Sequence, residues 1–112
     1  MSVARVTMVD YVSEEAADKF EPDYKIICQR ALPEADSLIL IRTGPTSGLS
    51  MAIYRDEELA EAMLPKRQSM REQFTDIFKN FFHLEGPISL HYINELLLNN
   101  LKLYLLGKNF LK

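Results

Sequence analysis

Apolar and polar residues alternate, imperfectly, along VARVTMVDYV (3–12), and five of its ten residues are β-branched. That pattern predicts a strand with one face turned to a core. Ser13 followed by Glu14 and Glu15 reads as a helix start, a capping hydroxyl and then acids at the positive end of the dipole. Ala17, Phe20, Tyr24, Ile27, Cys28 and Ala31 then recur at steps of three and four, one buried helical stripe. Pro22 falls inside it and is expected to kink or split the helix, because it lacks a backbone donor; Pro33 is expected to end it. SLILIRT (37–43) is an apolar run of strand length, GPTSG (44–48) is turn chemistry, and LSMAIYR (49–55) alternates again. Asp56, Glu57 and Glu58 open a second helix with the stripe Leu59, Met63, Met70, Phe74, Ile77, Phe78 and Phe81. Pro65 would begin a new segment within it, and Gly86-Pro87 would stop it. PISLHYI (87–93) is then expected to be the last strand.

Strand, helix, strand, strand, helix, strand is the split βαβ, or ferredoxin-like, order. Right-handed crossovers put the four antiparallel strands in the order 4-1-3-2, with both helices on one face. The fold class is therefore α+β. Alternation suggests a helix-covered face of Val6, Met8, Met51, Ile53, Leu90 and Tyr92. The other face would carry Arg5, Thr7, Val9, Tyr11, Ser50, Tyr54, Ser89, His91 and Ile93. A mixed face of that size would leave an apolar patch in water. Pairing with a second copy, sheet against sheet, removes it and predicts a homodimer.

Composition narrows the field. The 112 residues suit a single domain, here 1–93 followed by an extension over 94–112. A net charge of −3 speaks against a nucleic-acid partner. The single cysteine, Cys28, cannot form an intrachain disulfide and fits a reducing, cytoplasmic setting. The N-terminal stretch has no long apolar run of the signal-peptide kind, and no segment qualifies as a membrane span.

On element order, length, face pattern and the short GPTSG hairpin, residues 3 to 93 resemble the dimeric α/β-barrel family, in its branch of antibiotic-biosynthesis-monooxygenase-like proteins. The resemblance implies a barrel between paired sheets and a small-molecule pocket between each sheet and its helices. Members of that group include cofactor-independent oxidases of polycyclic aromatics, isomerases, haem binders and proteins without an assigned activity, so the fold does not choose among them. Other functions of the fold lack their residues here. There is no RNA-binding strand motif, no Cys-x-x-Cys for copper, and the loop after the first strand, Tyr-Val-Ser-Glu-Glu, would repel phosphate.

The reading that follows is a binding protein for a fatty or aromatic molecule. The alternatives are a cofactor-independent monooxygenase-like enzyme on an aromatic or acyl substrate, and an interaction module with no ligand. Arg5, Met8, Tyr24, Met51, Tyr54, Met70, Phe74 and Phe78 are the candidate ligand contacts. Methionines and phenylalanines of this kind also make ordinary cores. His91, mid-strand on the mixed face, and His83, after the second helix, are the candidate bases. The bland alternatives are interface hydrogen bonds for His91 and a favourable helix-end dipole for His83. No metal-ligand spacing is present, and no cofactor is expected. Lys66, Arg67 and Arg71 read as a solvated helix face, and Cys28 as a small core residue.

The extension NELLLNNLKLYLLGKNFLK (94–112) has eight leucines in nineteen residues. A helix from about Asn94 to Gly107 is expected, with Leu97, Leu98, Leu101, Tyr104 and Leu105 along one broad side. So apolar a segment is expected to associate: across the dimer, over the barrel mouth or over the pocket.

Overall fold

The computed structural model describes residues 1–32 and 34–110. The elements are β1 (Val3–Tyr11), α1 (Glu14–Ala31), β2 (Ser37–Gly44), β3 (Ser47–Tyr54), α2 (Glu57–Ala62), α3 (Leu64–Glu72), β4 (Phe78–Pro87) and α4 (Glu95–Phe110). The sheet is antiparallel in the order β2-β3-β1-β4, the ferredoxin-like arrangement expected from the element order.

Local chemistry sets most of the boundaries. Ser13 Oγ accepts from the Ala16 amide at 3.0 Å and caps α1. Asp56 does the same for α2 through the Leu59 amide at 2.7 Å. Pro65 stands in the first turn of α3, where its missing donor is harmless. Pro22 does not split α1, which runs unbroken through it. The hydrogen bond it forfeits is to the carbonyl of Asp18, and both residues are on the exposed side, where water can serve that carbonyl. Pro33 lies outside the described residues.

The fourth strand is earlier than the sequence pattern suggested. Residues 87–93 are irregular beyond Pro87, and the strand is FKNFFHLEGP. Phe74, Phe78 and Phe81 are spaced for a helix, but Phe78, Phe82 and Leu84 are equally spaced for a strand. The ladder to β1 decides it, with Met8 opposite Phe82 and Val6 opposite Leu84.

The two sheet faces are also exchanged relative to expectation. Val3, Arg5, Thr7, Val9 and Tyr11 of β1 point under the helices, whereas Val6 and Met8 point away from them. The covered face is mixed because the helices bring polar partners to it. Arg5 meets Glu61 of α2 at 3.1 Å, and Thr7 meets Arg67 of α3 at 3.2 Å. Its apolar parts form two cores. One gathers Tyr11, Phe20, Met70 and Phe74, and the other Val3, Ala52, Tyr54 and Met63. The opposite face carries Val6, Met8, Ile39, Ile41, Leu49, Met51, Phe82 and Leu84 in register, and each is half-buried or exposed. Phe82 is 60% and Leu84 54% exposed.

α4 extends past Gly107, which the sequence pattern took as its end. Leu96, Leu103, Tyr104, Leu105 and Leu106 are exposed along it. The side chains of Leu97, Leu98 and Leu101, and residues 111–112, lie outside the described residues.

Candidate functional site

A cavity of about 50 Å³ lies between the covered sheet face and helices α1 and α3. β1 contributes Thr7, Val9 and Tyr11; α1 contributes Phe20 and Tyr24; α3 contributes Arg67, Met70 and Arg71. Leu40, Ser50, Phe74, Phe78 and Phe81 complete the wall. An irregularity in the β1–β4 ladder explains two of these. Val9 pairs with Phe81 and Asp10 with Asn80, but Tyr11 pairs with Phe78, so β4 has one residue too many. That extra residue reverses the alternation, and Phe78 turns to the same side as Phe81.

The aromatic wall is closely knit. Phe20 stands edge-on to Phe74 and Phe78, with ring centroids 5.0 and 5.1 Å away. At the rim, the guanidinium of Arg71 lies over the Phe81 ring at 5.3 Å. Burial raises the pKa of Tyr24, with Cys28 adding to the effect, while Arg67 and a Ser50 hydrogen bond oppose it. The Tyr11 phenol is pushed up to about 12, mainly by burial and then by Glu21.

Polar groups collect at one corner. His83 is in mid-strand on β4, not in a helix's last turn, and sits opposite Thr7. Its Nδ1 is 2.9 Å from Thr7 Oγ1, and Arg71 Nη1 bonds its Nε2. A guanidinium only donates, so Nε2 must accept. The proton is then on Nδ1, which donates to Thr7, and the ring is neutral. Burial lowers the pKa of His83, and the charges of Arg71, Arg67 and Arg5 lower it further. Thr7 Oγ1 also accepts from Arg67 Nη2, which leaves the hydroxyl hydrogen free to donate.

Of the residues singled out from sequence, Tyr24, Met70, Phe74 and Phe78 line the cavity, and His83 abuts it through Thr7 and Arg71. Arg5 faces the same side but is held between Glu61 and Glu85, each at 3.1 Å. Tyr54 is fully buried in the second core cluster. Met8 and Met51 are on the opposite sheet face, and His91 is exposed beyond β4. Arg67 and Arg71, expected on a solvated helix face, instead line the cavity. A signal was available: Met63, Arg67, Met70, Arg71 and Phe74 fall on one helical stripe. Among the described residues, no group of three or more His, Cys, Asp or Glu side chains could hold a metal. Cys28 is buried, and burial raises its pKa, as for an unreactive core thiol.

No family model matches the chain, and no curated protein matches it in sequence. Solved structures match it in fold. A Nitrosomonas europaea protein of unknown function superposes with a TM-score of 0.68 at 11% identity, over 83% of this chain and 94% of that one. A candidate antibiotic biosynthesis monooxygenase from Bacteroides thetaiotaomicron gives 0.63 at 14% identity, over 83% and 94%. A dimeric ferredoxin-like protein from an uncultured marine organism gives 0.67 at 9% identity, over 83% and 92%. The fold is thus ferredoxin-like and related to that of antibiotic-biosynthesis-monooxygenase-like proteins. Identities this low carry the fold and nothing finer.

Proposed function

We propose that this chain is a cytoplasmic homodimer that binds an apolar small molecule, fatty or aromatic, between its sheet and helices α1 and α3. The observation that carries the reading is the cavity lined by Phe20, Phe74, Phe78 and Phe81 with a polar corner at Thr7, Arg67 and Arg71. Apolar walls with a few convergent polar groups are the usual make-up of a ligand site. At about 50 Å³ the cavity has room for a few waters but not for a fatty or aromatic ligand, since one water needs only about 10–15 Å³. Binding therefore requires Phe81 and Arg71, at the rim, to swing outwards, and Met70 is a side chain that can refit around a guest.

The homodimer is supported by the uncovered sheet face. Met8, Ile39, Ile41, Phe82 and Leu84 are all exposed in the single chain, and a contiguous apolar face of this kind marks an association surface. A second copy offers the same face, which a two-fold axis makes complementary to itself. The exposed leucines of α4 extend that association across the dimer. A protein lacking 94–112 should dimerise more weakly; unchanged dimerisation would remove the extension from the proposal.

Native mass spectrometry of the purified protein, followed by a denatured spectrum, tests the binding reading. A dimer carrying mass that denaturation releases is the expected result. A bare dimer that also fails to bind apolar probes would leave an interaction module without a ligand.

His83 favours a second reading, a cofactor-independent monooxygenase-like enzyme on an aromatic or acyl substrate. The ring is neutral, so it can take a proton, and its Nε2 lone pair is held by a side chain at the cavity rim. Movement of Arg71 onto a substrate would free that lone pair. In this reading His83→Ala abolishes turnover while binding persists; unchanged turnover would end it. His91, exposed beyond β4, is given no role.

A further inference from the structure

The cavity's polar corner has an unbalanced charge. Arg67 and Arg71 are one turn apart on α3, and both line the aromatic cavity and a neighbouring groove of about 300 Å³ that includes His83. Among the described residues, neither arginine is in an ion pair. Arg67 Nη1 and Arg71 Nε are buried and make no hydrogen bond. One further donor of each meets a neutral acceptor, Arg67 Nη2 at Thr7 Oγ1 and Arg71 Nη1 at His83 Nε2. Glu61 and Glu85 are both engaged by Arg5.

This arrangement is unfavourable by itself. Like charges at i and i+4 repel, and partly buried guanidinium groups lose hydration. Burial, and then the charge of Arg67, both lower the pKa of Arg71, with Glu72 opposing them only in part. The chain as a whole is acidic, so the pair does not follow from a generally basic composition.

We infer that the ligand is a hydrophobic anion, whose carboxylate sits between Arg67 and Arg71 while its chain or ring lies among Phe74, Phe78 and Phe81. The inference rests on the proposed apolar binding and specifies its polar end. Arginine's planar fork matches a carboxylate, and such charge-assisted pairs are about twice as strong as neutral ones. Arg71 is the mobile part. It lies over Phe81 at the rim and would turn from His83 to the anion.

Calorimetric titration of the intact protein with octanoate, octanol, naphthoate, naphthalenemethanol and acetate tests this. Each acid should bind about tenfold or more tighter than its alcohol, the scale of one charge-assisted hydrogen bond. Arg67→Gln and Arg71→Gln should each collapse that preference, and Arg71→Lys should restore part of it. The titration of His83 by NMR provides a readout in the unaltered protein. Bound acid should raise its midpoint by offsetting the arginine charges, and bound alcohol should not. Acids and alcohols binding equally would overturn the inference and leave the apolar site standing. Acetate binding as well as octanoate would keep the anion site and overturn the apolar one. No binding by any probe would overturn both.

Discussion

Arg71 and His83 make the contact on which the chemistry of this site turns: the guanidinium donates to Nε2 and so fixes the imidazole as the neutral Nδ1–H tautomer. The charged groups around the ring are Arg67 and Arg71 on α3 and Arg5 on β1, all cationic, with Glu61 and Glu85 drawn to Arg5. Protonating His83 would add a fourth cation and break the Arg71 bond.

His83 should therefore titrate below its ordinary value of about 6.5 in the folded protein. The unfolded chain binds the proton first, so stability rises with pH across this window. The contribution is complete above about pH 6.5 and is lost as pH falls through the folded-state pKa. Denaturant midpoints measured between pH 5 and 8 should show this slope in the native protein, and His83→Gln should flatten it. An equal slope in both would show that His83 is not its source.

Arg5 should be a structural residue. Its side chain is 9% exposed and holds two carboxylates that are each about half exposed. Arg5→Ala strands both acids, but water can partly reclaim them, so the cost should be about 1–3 kcal/mol. Affinity for any cavity ligand should change little. Thermal melts beside a ligand titration separate the two effects, and a large loss of affinity with unchanged stability would return Arg5 to the binding site.

Phe82 is opposite Met8, midway along the edge strand β4, on the uncovered face. Phe82→Glu places a charge where the single chain is already open to water, so its own stability should shift by about 1 kcal/mol or less. Burying that charge between two sheets would be far more costly. Sedimentation should show monomers with native circular dichroism. A variant that remains dimeric would place the interface elsewhere.

Gly48 is opposite Val9 on the covered face. A β-carbon there would stand 3.0 Å from Tyr11 Oη and 3.3 Å from the Ile41 carbonyl oxygen. Tyr11 is packed against Phe20 and Phe78 and has little room to yield. Gly48→Ala should cost about 1–2 kcal/mol, a Tm loss of roughly 4–16 °C at this chain size. An unchanged Tm would mean that the Tyr11 ring is loosely held.

Several features were legible one residue at a time. The caps at Ser13 and Asp56, Pro65 at a helix start and the GPTSG hairpin all appear where local chemistry puts them. Residues 78–84 were not legible in this way, because their apolar positions suit steps of two and of four alike. Taking them as helix pushed the last strand to 87–93 and drew His91 into the sheet. It also removed His83 from the strand where it meets Thr7. The inward position of Arg67 and Arg71 was not legible for another reason. Charged residues on a helix usually face water, and only a partner surface with Thr7 and His83 makes an inward position tolerable.

The sequence by itself determined the element order, the antiparallel four-stranded sheet and the existence of two unlike faces along β1. Period-two alternation specifies that Val6 and Met8 oppose Arg5 and Thr7, but it is symmetric and does not say which side the helices cover. The tertiary structure decided that. Helices α2 and α3 bring Glu61, Arg67 and Arg71 to the mixed face, where they match Arg5, Thr7 and His83. The more apolar face was left open. Complementarity between distant elements, and not the hydrophobicity of one strand, therefore chose where the cavity lies and which residues surround it.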